Sequence, residues 1–228
     1  MEKDYEIKDS GDRTVFPSGG VRDMRVGKGM PCLIPVEAWL QVGEYIPKGL
    51  AGIPVDAWTR VAQHYEKGRI KYSDVGNWNI GDENWLKGIF LMCYFDSAIR
   101  HLNKFLLNWE DEDHLAAVIW NISCMMETNR RIRDGILSID LDNRDVKTFT
   151  QQYLPMDDVE NLTTMLDYWD FVVENLLRAK TNCLMVASMA KAIVGVLYMM
   201  ELERKIKLGT EPKEKDDRDP TQFTPPTD

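Results

Sequence analysis

Apolar residues recur along this chain at intervals of three and four, the spacing of amphipathic helices. Residues 36–45 follow Pro35 and place Trp39, Leu40 and Val42 on an apolar side. Residues 55–72 repeat the pattern with Trp58, Val61, Ala62 and Tyr65. A longer helix is predicted over 83–108, with Leu86, Ile89, Phe90, Cys93, Ile99, Leu102 and Leu106 as its core stripe. Another runs from 111 to 134 and stops at Gly135, a suitable residue for the left-handed position that ends many helices. Pro155-Met156-Asp157 offers a further helix start, with Asp157 or Asp158 as N-cap. Val159, Leu162, Leu166, Trp169, Val173, Leu176 and Leu177 keep helical spacing after it, and a last helix spans 181–207. No sheet pattern and no internal repeat recurs. The pattern predicts an all-α bundle of about six helices.

Between the helices the character changes. Residues 1–15 are polar and charged, and are expected to be mobile. Residues 16–35, F-P-S-G-G-V-R-D-M-R-V-G-K-G-M-P-C-L-I-P, hold too much glycine and proline for a regular element. Residues 73–82 form a turn-rich loop centred on Asn77 and Trp78, and 137–153 have no clear period. The end, 209–228, is charged and Pro-rich and reads as disordered. The expected division is a flexible N-terminus (1–15), a main domain (16–136), a C-terminal helical extension (137–207) and a disordered tail (208–228).

Composition narrows the functions. A formal charge of −9 on 228 residues argues against nucleic-acid binding, which needs basic surface. An acidic protein that handles phosphates must hold them with metal and a few local cations. Cys32, Cys93, Cys124 and Cys183 lie far apart without a C-x-x-C. They read as reduced thiols, with Cys93, Cys124 and Cys183 buried, and a cytoplasmic setting is expected. The first residues are too polar for a signal peptide. Residues 183–200 are almost continuously apolar, near the minimum for a membrane span. Ser188 and Lys191 interrupt them and small residues are frequent, so a buried or interfacial helix is expected instead of a membrane helix. An exposed stripe of that size on a monomer would be unusual, which points to a homo-oligomer.

The candidate chemistry centres on residues 109–121, W-E-D-E-D-H-L-A-A-V-I-W-N. Four consecutive acids, Glu110 to Asp113, run into His114 and a helical pattern, and acids suit the positive end of a helix dipole. On a helical wheel Glu110, His114, Ala117 and Asn121 share one face. Leu115, Val118, Ile119, Ile122 and Met126 form a separate stripe. Carboxylates in that arrangement suit Mg²⁺ or Mn²⁺. The loop 16–35 carries Arg22, Arg25 and Lys28 and could lay backbone N–H groups against phosphate oxygens, although it is no P-loop.

Four motifs in order then add a likeness: F-P-S-G-G-V-R-D…G-K-G-M-P-x-L-I-P, H-Y-E-K-G-R-I-K-Y…N-W, S-A-I-R-H-L and E-D-E-D-H-L-A-A-V-I-W-N. Over about residues 16–127 the chain resembles the phage dATP/dGTP diphosphohydrolase family (MazZ), functionally akin to the all-α MazG-like pyrophosphohydrolases. The resemblance implies metal-dependent hydrolysis of dGTP or dATP to the monophosphate and pyrophosphate, in host cytoplasm if phage-encoded. In some phages that activity supplies dGMP for 2-aminoadenine nucleotides and depletes dATP. Such enzymes place ligands as E-x-x-E and E-x-x-D on successive helices; here only Glu110-x-x-Asp113 fits, so the partner acids must be single residues. Glu66, Asp96, Glu110 and Asp113 are then the candidate ligands, with His114 as a further ligand or proton shuttle and Glu110 beside it in catalysis. Arg22, Lys28, Lys71 and Arg100 are candidates for phosphate contacts, and Asn77, Trp78 and Asn121 for reading the purine. His64 and His101 are expected to be structural. The alternatives are another metal-dependent nucleotide phosphohydrolase, with the HD type disfavoured by the absence of His-Asp, or a non-enzymatic helical interaction protein whose acids are a solvated face.

Overall fold

The computed structural model describes residues 13–15, 17–23, 27–46, 56–72, 84–144, 159, 162–181 and 185–209. Their fold is all-α, carried by α1 (Val36–Tyr45), α2 (Ala57–Tyr72), α3 (Leu91–Leu106), α4 (His114–Arg133), α5 (Met165–Thr181) and α6 (Met185–Leu208). The loop expected near the start holds a small hairpin: β1 (Arg13–Val15) pairs antiparallel with β2 (Val21–Asp23), Thr14 lying opposite Arg22. Pro17-Ser18-Gly19-Gly20 turns the chain between two short extended triplets, which a mobile-terminus reading misses.

Helix α4 is the centre of the bundle and packs against α1, α2, α3 and α6. The wheel predicted one core face and one chemical face. Instead Leu115, Ala117, Val118, Asn121, Ile122 and Met126 are all buried, because neighbouring helices cover both sides. The Asn121 side chain donates to the Ala117 carbonyl at 2.8 Å, a bond within the helix that satisfies a buried amide.

The helix predicted over 83–108 begins only at Leu91. Trp85–Lys87 form a single 3-10 turn, and Gly88 has φ +96°. A Cβ at Gly88 would come within 2.6 Å of Leu141 Cδ1, so both backbone angle and space require glycine there. This break resets the helical phase. The buried stripe is Leu91, Tyr94, Phe95, Ala98 and Leu102, while Phe90 and Cys93 are exposed. The Asn143 side chain accepts from Met92 N at 3.0 Å and supplies the cap that α3 lacks locally.

Helix α5 starts with a reciprocal capping box. Thr164 N donates to Asp167 Oδ2 at 2.9 Å, and Asp167 N donates to Thr164 Oγ1 at 3.1 Å. The expected caps Asp157 and Asp158 lie outside the described residues. The buried side of α5 is Tyr168, Phe171, Val172, Leu176 and Ala179, rotated from the stripe expected through Trp169 and Val173. It packs along α6, and Gly195 permits the close approach: a Cβ there would meet Val172 Cγ2 at 2.7 Å and Phe171 Cδ1 at 2.9 Å.

Helix α6 is long and apolar enough to cross a membrane, but 67% of its most apolar window is buried inside the protein. α1, α4 and α5 of the same chain cover it, so the stripe assigned by sequence to a second copy is largely used internally. One hydrophobic core runs from Ile34 to Met200 and joins the C-terminal helices to the earlier ones.

Candidate active site

Helix α3 ends in a Schellman turn. Asn108 N donates to the Phe105 carbonyl, Trp109 N donates to the Lys104 carbonyl, and Asn108 takes the left-handed conformation at φ 54°. The chain then reverses through Glu110–Glu112. Asp113 ends the reversal as N-cap of α4, its Oδ1 accepting from Ala116 N at 3.1 Å. Because this cap begins the helix at His114, Glu110 stands before α4 and does not share a helical face with His114.

The short connection makes α3 and α4 antiparallel neighbours, so residues equidistant from the turn meet. His101 and His114 do so, with Nδ1 atoms 3.3 Å apart. Glu112 Oε1 lies 3.3 Å from His101 Nδ1 and 3.9 Å from His114 Nδ1. These three are the one group of potential metal ligands among the described residues. His114 is buried, and its Nε2 is 2.9 Å from Asp111 Oδ1, out of line for a hydrogen bond and otherwise without a partner. Asp111 is held from its other oxygen by Lys104 Nζ at 2.7 Å. Burial pushes the His101 imidazole down to about 4, against the opposing pull of Glu112. A neutral imidazole is the form that binds metal. His101 was expected to be structural; what revealed it is its place opposite His114 across the turn.

Beside the histidines opens a cleft of about 1180 Å³. The N-terminal ends of α2, α4 and α5 and the C-terminal ends of α3 and α6 surround it. Glu110, Glu112, Asp113 and His114 line it together with Arg60, Glu203, Arg204 and Lys207. Arg60 donates from Nε and Nη2 to the two oxygens of Asp113 at 2.7 and 2.8 Å, and Nη2 is 3.1 Å from Glu203. Burial raises the Asp113 carboxyl, but Arg60 and the Ala116 amide outweigh it and hold the group below its ordinary value. Glu110 is exposed at the cleft and has no side-chain partner among the described residues. Arg60, Arg204 and Lys207 were not among the predicted phosphate contacts. The signal for Arg204 and Lys207 was present in the charged run Glu201–Lys207 that ends an apolar helix; Arg60 stood in no such run.

The other predicted site residues stand elsewhere. Glu66 is buried in α2, and its two oxygens accept from Gly27 N at 3.1 Å and Gly29 N at 3.0 Å. The glycine loop therefore presents its amides to a carboxylate of the protein. Asp96 is exposed on α3. The four predicted ligands thus do not converge: Glu110 and Asp113 share the cleft, Glu66 holds the loop, and Asp96 faces solvent. Arg22 lies exposed on β2 and Lys28 on the glycine loop. Arg100 donates to Ser97 Oγ at 2.9 Å, and Lys71 sits 5.3 Å above the Tyr72 ring. Asn121 is buried beneath the surface, and Asn77 and Trp78 fall outside the described residues.

The loop clamp makes a prediction. Gly29 has φ +82°, and a Cβ there would meet Gln63 N at 2.9 Å. Gly29→Ala should lift the loop from α2, and Glu66→Ala should leave two amides without an acceptor, at about 1–3 kcal/mol. Limited trypsin digestion reads both as faster cleavage after Arg25 and Lys28; unchanged cleavage would mean the clamp does not hold the loop.

No curated protein and no solved structure is significantly similar to the chain. A family model does match: residues 46–135 fit the one described as "dATP/dGTP diphosphohydrolase, N-terminal". The matched stretch holds α2, α3, α4 and the acidic turn, and leaves the hairpin and glycine loop before it and α5 and α6 after it. With the H-Y-E-K-G-R-I-K-Y, S-A-I-R-H-L and E-D-E-D-H-L motifs all inside it, this stretch of the chain is similar to the N-terminal domain of the dATP/dGTP diphosphohydrolase family.

Proposed function

We propose that the protein hydrolyses a purine deoxynucleoside triphosphate, dGTP or dATP, to the monophosphate and pyrophosphate, in the cleft at the start of α4, using Mg²⁺ or Mn²⁺. The observation that carries this reading is the mixed lining of the cleft. Glu110, which has no side-chain partner among the described residues, suits a divalent ion and stands beside three cations that suit a polyphosphate, Arg60, Arg204 and Lys207; Glu110 and Arg60 fall within the stretch matching this family. The Glu110 carboxylate would hold such an ion together with the phosphates, and when bound the ion would neutralise charge on the triphosphate.

The side chains supply the rest. Arg60 uses Nε and Nη2 on its acids and leaves Nη1 for a phosphate oxygen. Arg204 and Lys207 reach the same cleft from α6, each already oriented by an acid, Glu201 at 2.6 Å and Glu203 at 2.7 Å. Such fixed cations stabilise charge that grows on the leaving pyrophosphate. Glu110, without a partner, is placed to take the proton of an attacking water. Such an activity fits the cytoplasm, where deoxynucleotides are available, and in a phage it would serve 2-aminoadenine synthesis by supplying dGMP and removing dATP.

The test is incubation of the purified chain with each (d)NTP and Mg²⁺ or Mn²⁺, following pyrophosphate. Turnover of dGTP or dATP is expected, with Glu110→Ala lowering kcat by about 10²-fold or more while helix content stays the same. Absence of turnover on every nucleotide would favour the interaction-protein reading, and full activity in Glu110→Ala would remove that residue from the chemistry.

A further inference from the structure

We propose that His101 Nδ1, Glu112 Oε1 and His114 Nδ1 bind one resident transition-metal ion of the Zn²⁺ type, distinct from an ion that arrives with nucleotide. The separations carry the argument. A tetrahedral ion with bonds of about 2.0–2.1 Å spaces its ligands about 3.4 Å apart. The three donor pairs here stand at 3.3, 3.3 and 3.9 Å. Three ligands leave a fourth position open, as in catalytic zinc sites.

The arrangement has no good internal alternative. Two Nδ1 atoms face each other, and a neutral imidazole carries only one hydrogen. A single N–H would have to serve another nitrogen and a carboxylate oxygen, all at the long limit of hydrogen bonding. A cation between them satisfies all three lone pairs. The outer atoms agree with this. If Nδ1 of His114 binds metal, Nε2 carries the hydrogen, and Asp111 Oδ1, 2.9 Å away but out of line, is a carboxylate that a small side-chain rotation would align with it. A carboxylate behind a metal-bound histidine is the usual orienting partner. Lys104 in turn holds Asp111. Two imidazoles and one carboxylate select zinc-like ions over Mg²⁺, which prefers oxygen and retains its waters.

Glu112 and His114 also line the cleft, so the ion would lie in its wall. That relation to the chemistry rests on the nucleotide reading; the binding itself does not. Full-length protein stripped with a chelator should take up one Zn²⁺ per chain in calorimetry, and excess Mg²⁺ should not displace it. Co²⁺ in its place should give the intense visible absorption of a four-coordinate site. Glu112→Gln and His101→Gln should abolish stoichiometric uptake, and Asp111→Asn should weaken it about 10–100-fold. Glu112 and Asp111 are solvent-accessible, so these variants test the site even if changes at buried His114 unfold the protein. No saturable Zn²⁺ uptake, or uptake equal in wild type and all three variants, would overturn the proposal. Nucleotide hydrolysis in Mg²⁺ by a protein that binds no Zn²⁺ would overturn it and leave the functional reading intact. Zn²⁺ uptake without hydrolysis would support it and remove that reading.

Discussion

Arg60→Ala is expected to cost both activity and stability, because one guanidinium serves two purposes. It is the cation nearest the start of α4, and it neutralises Asp113 and Glu203 in a partly buried cleft. Removing a fixed donor to developing charge lowers kcat by about 10²–10³-fold. Leaving Asp113 without its cation, while Glu203 keeps Lys207, costs about 1–3 kcal/mol, a fall of roughly 3–10 °C in Tm for a chain of this size. The pH dependence identifies the cause. In the folded protein Asp113 is held below its ordinary value, so its pairing stabilises the fold at neutral pH. That contribution fades as the pH falls through the depressed value and the carboxyl protonates. The gap in Tm between wild type and Arg60→Ala should therefore be widest near pH 7 and close towards strongly acidic pH. Thermal denaturation across that range measures it, and a constant gap would mean that packing of the arginine stem matters, not its charge. Arg60→Lys should recover part of the stability but little activity, since an ammonium cannot grip both oxygens of Asp113.

Gly195→Val carries the second large effect. Helices α5 and α6 meet where Gly195 leaves room for Phe171 and Val172. A branched side chain there has no space even at its first carbon, and overpacking a filled core costs about 1–3 kcal/mol. Denaturant midpoints should shift accordingly with little change in slope. Shortening Val172 to alanine in the same chain should restore part of the loss, because the clash is with that residue. A neutral Gly195→Val would show that α5 and α6 can separate freely. Since α6 brings Arg204 and Lys207 to the cleft, parting the two helices should also lower turnover.

Helical spacing alone was enough to recognise α1, whose span matches the predicted one, and the end of α4 at Gly135, which adopts φ +71°. It misled at α3, where Gly88 at φ +96° breaks a pattern that periodicity alone carries through. It misled again at α4, because a wheel shows which residues share a face but not how many neighbours will cover it. The site was half legible. Residues 109–114 do lie at the cleft, yet a helix was assumed to start before them. The Asp113 cap moved that start and separated Glu110 from His114. His101 needed knowledge of the turn, since Leu107 and Asn108 lie midway between it and His114. Glu66 looked like a ligand from its setting in H-Y-E-K-G; its buried contact with two backbone amides is a long-range event that spacing does not report.

The reversal from Asn108 to Asp113 is anchored at one end by a Schellman turn and at the other by a cap, while the first half of α4 beyond it is buried almost throughout. Substitutions among the exposed intervening side chains Trp109–Glu112 are expected to leave the scaffold in place. The scaffold, conversely, acts on the cleft through the angles at which α2, α4 and α6 deliver Arg60, His114, Arg204 and Lys207 to it. Variation of the cleft's rim can therefore proceed in a span shorter than two helical turns so long as Asp113 and its Arg60 partner, which tie the rim to the fold, stay in place.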